Sequence, residues 1–144
     1  MDYTPAPNIE TTLTGLSLYD LRIDKGINDD QVHLHTWCSQ QRERQFDLYH
    51  DQDCCECVRL HDVQGRVDLL MRSPLVEVKE TIIEWRDGGE QPVAWPADIP
   101  RPSESGTVTL FTLTATNGVV VTIRWLGTSN GYYSESVSFV ETTK

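Results

Sequence analysis

Two β-rich runs meet at a single Asn-Gly in "TVTLFTLTATNGVVVTIRWL", residues 107–126. Asn-Gly supplies the left-handed backbone that a tight turn needs, and the flanks are dominated by Val, Ile, Thr and aromatic residues, so the stretch is read as an antiparallel hairpin. Alternation sorts its second run into two faces: Val119, Val121, Ile123 and Trp125 on one, Val120, Thr122, Arg124 and Leu126 on the other. The same two-residue period recurs upstream. Leu16 and Leu18 alternate with polar neighbours, Val32 and Leu34 oppose His33 and His35, Phe46 and Leu48 oppose Asp47 and Tyr49, and Val58 and Leu60 oppose Arg59 and His61. Each reads as a half-buried strand. "PLVEVKETIIEW" adds another, with Val76, Val78 and Ile82 assigned to one side. A second Asn-Gly, Asn130-Gly131, is expected to close a further hairpin into "YYSESVSFV". Helical spacing appears in "GRVDLLMRS", where Val67, Leu70 and Met71 fall on one side and Pro74 follows. The expectation is a mostly-β (β-rich α+β) domain of seven or eight strands and one short helix. Its sheet would be a single antiparallel meander, or a small barrel or sandwich.

At 144 residues the chain suits one domain with one core. Residues 1–12, with two prolines, read as a flexible N-terminal arm, and 13–144 as the domain. Residues 86–106 form a long Pro/Gly-rich loop without periodicity, and loops of that length tend to be functional or disordered. Trp95 inside it needs burial, on a partner or over a pocket. The absence of an apolar run of about 18–20 residues excludes a spanning helix, and "MDYTPAPNIE" lacks the basic and apolar regions of a signal peptide, so a cytoplasmic protein is expected. Twelve Lys and Arg against 22 Asp and Glu give a net charge of −10, which argues against polymeric nucleic acid and anionic lipid. A small anionic ligand stays open, because two or three placed arginines can hold a phosphate whatever the global charge.

Four cysteines, Cys38, Cys54, Cys55 and Cys57, read as free thiols in a reducing compartment. Three of them lie in "YHDQDCCECV", residues 49–58, beside His50, Asp51, Asp53 and Glu56. A structural zinc site usually takes Cys pairs two to four residues apart. Cys54 and Cys55 are adjacent and would point to opposite faces of an extended chain, so no metal is assigned. The competing readings are small buried thiols at a strand entry, or a turn in which Gln52, Asp53 and Glu56 offer acceptors to a ligand. Acidic neighbours would raise rather than lower a thiol pKa, the four histidines read as surface positions, and no nucleotide-binding glycine loop, nucleophile elbow or zinc-protease motif occurs. The chain is therefore expected to be no enzyme and to need no cofactor. In "RWLGTSNGYYSES" cross-strand aromatic pairing accounts for the turn and much of Trp125. It accounts less well for the gathering of Asn130, Tyr132, Tyr133, Ser134 and Glu135 beside Arg124, which offers ring faces, a guanidinium and many polar edges.

These two segments resemble a family of small uncharacterised proteins of phages and bacteria. Its members read YH-x-QDCCE-x-V, then a short D-L-x-x-L-x-G-x-P segment, then R-W-x-G-x-SNGYYSE-x-V. The resemblance covers residues 46–141; Cys57 and Gly65-Arg66 depart from it, so the third thiol stands outside any family-wide site. The resemblance implies a small acidic accessory protein in a bacterial cytoplasm, of a kind that often acts stoichiometrically.

The functional expectation is a non-catalytic phage accessory protein that sequesters a small nucleotide-like host signal, an anti-defence role. Trp125, Tyr132 and Tyr133 would stack on a base, Arg124 would take phosphate, and Asn130, Ser134, Glu135, Gln52, Asp53 and Glu56 would read polar edges. An inhibitor that grips a host protein through the Trp95 loop is the alternative, and a metal-dependent hydrolase on His50, Asp51, Asp53 and Cys54 the third reading. A homodimer is expected from the free edges of β-hairpins.

Overall fold

Asn8 opens the described chain by capping a one-turn helix, its side-chain oxygen accepting from Glu10 N–H at 2.8 Å. The computed structural model describes residues 8–27, 29–37, 43–86 and 89–142. Helix α1 is Ile9–Leu13, and both of those end residues are buried. The eight strands among the described residues are β1 (Ser17–Lys25), β2 (Asp30–Trp37), β3 (Glu43–Tyr49), β4 (Cys57–Gln64), β5 (Leu75–Trp85), β6 (Ser105–Ala115), β7 (Val120–Ser129) and β8 (Ser138–Thr142). A second helical turn, α2, is Val67–Leu70. The expected mostly-β class holds, in its sandwich form. One sheet has the order β1-β2-β3-β8, the other β4-β7-β6-β5, and all pairings are antiparallel.

Alternation explains why the sheets face each other as they do. Val32, Leu34, Phe46 and Leu48 from the first sheet and Val121, Ile123, Trp125, Phe111 and Leu113 from the second are at most 1% exposed, and they share one core. A fully buried side chain of this size contributes about 1.5–3 kcal/mol. The opposite face of the second sheet holds a smaller cluster. Ile83 and Val108 meet Trp95 and Ile99 there, and the Trp85 and Trp95 rings stand edge to face at 5.3 Å. The proline-rich segment thus straps the outer face of its own sheet, and Trp95 finds its burial within the chain.

Four local expectations are corrected. The N-terminal arm does not extend through residue 12: residues 1–7 lie outside the described residues, but Ile9 and Leu13 belong to the core, which adds a second helix. A register shift between Leu75 and Glu77 separates Val76, which is 54% exposed, from Val78, which is buried. Asn117-Gly118 joins β6 to β7 as expected, with Gly118 at φ +86°. Asn130-Gly131 does not close a hairpin. Gly131 takes the left-handed turn, yet β8 pairs with β3, so the chain crosses from one sheet to the other between Ser129 and Ser138. Finally, Cys54 and Cys55 are joined as a disulfide rather than free; Cys57 is free and exposed, and Cys38 lies outside the described residues.

The sheets are clasped at one end by Asp30. Its carboxylate, with no side-chain exposure, accepts from Leu60 N–H at 2.8 Å, from Arg59 at 2.8 and 3.0 Å, and from Lys25 at 3.1 Å. Burial pushes this carboxyl up, and the Arg59, Lys25 and Leu60 hydrogen bonds outweigh it, leaving it below the usual value.

A candidate binding cleft beside the crossing segment

The crossing segment lies over β7 because position 127 has no side chain. A Cβ on Gly127 would stand 2.8 Å from the Glu135 carbonyl oxygen and 2.9 Å from Glu135 Cβ. With that approach allowed, the Glu135 carboxylate sinks to 3% side-chain exposure. It accepts from Thr107 Oγ1 at 2.7 Å, from Arg86 at 3.2 Å, and from Ser129 Oγ. Arg86 also donates to Ser105 Oγ at 2.8 Å and to the Gly106 carbonyl at 3.2 Å, and pairs with Glu84 at 3.2 Å.

His50 ties the other sequence segment to the same place. Its Nδ1 faces the Ser136 carbonyl oxygen at 2.6 Å and its Nε2 faces Glu56 at 2.8 Å. Both partners are acceptors. Glu56 accepts as well from Cys54 N–H at 2.8 Å and Asp53 N–H at 2.9 Å, while Gln52 donates to the Glu56 carbonyl at 2.6 Å. Burial raises the Glu56 carboxyl; the Cys54 N–H, His50 and Asp53 N–H bonds overcome it and bring the pKa to about 2. His50 was expected at the surface and is buried, because it directly follows β3, where the crossing segment returns. Segments 49–58 and 130–136 therefore meet.

Arg124 and Trp125 are placed elsewhere. Trp125 is wholly inside the core and presents no face to a ligand. Its indole N–H has no acceptor among the described residues. Arg124, 5% exposed, points to the strapped face, where its guanidinium is gripped by Asp62 (2.6 Å) and by Asp98 of the strap (2.6 and 3.0 Å). Those two carboxylates hold its pKa above the usual arginine value, and Arg124 in return brings Asp98 down to about 2. A phosphate would have to displace both. His61, Asp62 and Asp98 bring donor atoms within 4.8 Å of one another, the one such group among the described residues, but Arg124 already neutralises two of the three. His50, Asp51, Asp53 and Cys54 do not form a ligand set, since His50 is engaged as above and Cys54 is bonded to Cys55.

What remains open lies under Tyr133. Strand alternation carries Glu80, Ile82 and Glu84 along the core-facing side of β5 beyond Val78, opposite Phe111, Thr109 and Thr107. Ile82 there is 56% exposed. Between this row and residues Tyr133–Val137 is a cleft of about 230 Å³. The Tyr132 ring is 84% exposed and meets Tyr133 edge to face at 5.1 Å. Asn130 Oδ1 accepts from Tyr132 N–H at 2.9 Å, and Ser134 and Ser136 hydroxyls pair at 2.8 Å, so the turn is held by its own side chains. Of the residues nominated from sequence, Tyr133, Ser134 and Glu135 line this cleft; Gln52, Asp53 and Glu56 support it through His50. Sequence reasoning missed Glu80, Glu84, Arg86 and Thr107. The available signal was the mixed row Val78, Glu80, Ile82, Glu84, in which carboxylates enter a core-facing period.

No helix among the described residues is long and apolar enough to cross a membrane. No curated protein and no solved structure matches the chain. A family model described as a domain of unknown function (DUF7448) matches residues 12–139, and the chain belongs to that family.

Proposed function

We propose that this protein is a non-catalytic binding domain whose site is the cleft under Tyr133, and that its ligand presents a positively charged group. The observation that carries this is the charge of the lining. Glu80, Glu84 and Glu135 face the cleft with Arg86, and Arg86 is shared between Glu84 and Glu135. Glu80 has no cationic partner among the described residues. Burial, then the charge of Glu10, holds its carboxyl above the usual value, a cost that a bound cation would relieve. The Tyr133 ring at the rim suits the flank of a guanidinium or ammonium.

The nucleotide reading keeps one exposed ring, Tyr132, and one half-buried ring, Tyr133, but Arg124 is spent on two carboxylates and Arg86 on two more. Calorimetry with arginine amide, spermidine, and a panel of mono- and dinucleotides separates the two. The cationic reading expects heat from the cations, lost in Tyr133→Ala and Glu80→Gln, and none from nucleotides. Binding of a nucleotide without binding of either cation would overturn it in favour of sequestration of an anionic signal.

A further inference from the structure

The cleft does not end at Glu80. A second hollow of about 520 Å³ continues from it, sharing Glu80 and Val137 and running past Ile9, Phe139 and Val140 to Asn8. Together they form a groove along the open side of the sandwich, between the two edge strands β5 and β8. The edges differ. Helix α1 packs on β5, and Glu10 takes the Glu80 N–H at 3.0 Å, while Gly15 and Leu16 exchange backbone bonds with Leu75 at 2.8 Å each. β8 pairs with β3 alone, and its other edge makes no backbone hydrogen bond among the described residues.

We propose that this groove takes an extended, basic segment of a partner polypeptide, added as a strand to the free edge of β8 with a Lys or Arg side chain reaching Glu80. The proposal rests on the cationic reading of the cleft and names the partner. Three features support it. An unpaired strand edge offers backbone donors and acceptors at the spacing an extended chain matches, about 3.3 Å per residue, so the five residues of β8 suit a peptide of about five to seven. Alternate side chains of such a peptide would face the apolar floor of Ile82, Val137 and Phe139. The lining is acidic in balance: Glu80, Glu84 and Glu135 stand against Arg86, which Glu84 and Glu135 already hold, and Glu80, whose N–H is taken by Glu10, has no cationic partner among the described residues. A second copy of this chain fits worse, since each copy carries a net charge of −10.

The test uses the whole protein with two fluorescent heptapeptides alternating Val with Lys or Val with Glu, followed by polarisation, and with arginine amide as the small cation. The Val/Lys peptide should bind, weaken at least tenfold in Glu80→Gln, and weaken further with salt; the Val/Glu peptide should not bind. Amide exchange should slow at Ser138–Thr142 on binding. Glu10→Gln is the second variant, should Glu80→Gln fail to fold by circular dichroism. Equal binding of the two peptides, or binding with unchanged exchange at β8, overturns strand addition. Arginine amide bound without the basic peptide leaves the cleft a small-cation site and overturns this partner. Failure of both overturns the cationic reading as well. Dimerisation that slows exchange at β8 in the free protein would make the occupant a second copy.

Discussion

Replacing Asp30 by Ala should cost about 2–4 kcal/mol at neutral pH. The largest part comes from Leu60, whose N–H sits in the interior and would lose its acceptor, and a buried orphan donor costs about 1–3 kcal/mol. Lys25 and Arg59 keep 54% and 34% of their side-chain surface in water, so each re-solvates when the carboxylate goes and adds at most about 1 kcal/mol. The total is a large fraction of the 5–15 kcal/mol typical of a domain. Asp30→Asn retains an oxygen for Leu60 and should cost about 1 kcal/mol less. The pH dependence has a definite sign. The folded-state pKa of Asp30 lies below its unfolded value of 3.8, so the stabilisation is complete above 3.8 and is lost as pH falls through the folded value. Urea unfolding followed by tryptophan fluorescence at pH 7 and between pH 4 and 2.5 measures both. A loss under about 0.5 kcal/mol for the Ala variant at pH 7, or a gap between wild type and variant that widens on acidification, would refute the view that this carboxylate clasps the two sheets.

Gly127→Ala should displace the crossing segment and abolish binding of arginine amide while the sheets persist by far-UV circular dichroism, because its Cβ would overlap Glu135 backbone that cannot swing aside. Trp95→Ala should cost about 3–5 kcal/mol and open residues 89–104 to limited proteolysis, since the ring closes the smaller cluster. His33 sits between Asp47 at 2.6 Å and Asp24 at 2.9 Å; burial lowers its pKa, but those two carboxylates outweigh it and raise the value above 6.5. Its contribution is complete below pH 6.5 and fades as pH rises through the folded pKa, so His33→Gln should flatten the decline of the urea midpoint between pH 6.5 and 8.

The strands were legible because their period of two survives in nearly every element: Val32, Leu34, Phe46 and Leu48 were assigned inward and are fully buried. What the period does not encode is which sheet a strand joins. Asn130-Gly131 carries the local chemistry of a hairpin, and Gly131 does turn left-handed, but pairing beyond it is decided by contacts with β3 and by the room above Gly127. Arg124 shows the same limit. Next to a run of polar and aromatic residues it reads as a ligand-binding cation, whereas its partners are Asp62 on the neighbouring strand and Asp98 in the strap, neither of them near in sequence. The cleft was half visible. Tyr133, Ser134 and Glu135 stood out by composition, but Glu80 and Glu84 come from a strand some fifty residues earlier, and their role follows only from sheet register.

That late pairing of β3 bears on how the chain folds. Thr142 hydrogen-bonds Asp47 across 95 residues of sequence, so the edge of β3 can be covered by β8 only when almost the whole described chain is present. The hairpins β1–β2, β2–β3, β5–β6 and β6–β7 close between sequence neighbours, whereas β8 must search for its place against loop-closure entropy. Loop-closure entropy therefore predicts that β8 docks late, together with the His50–Ser136 contact and the second wall of the cleft, so in refolding followed by pulsed amide exchange Ser138–Thr142 should gain protection after β1–β3.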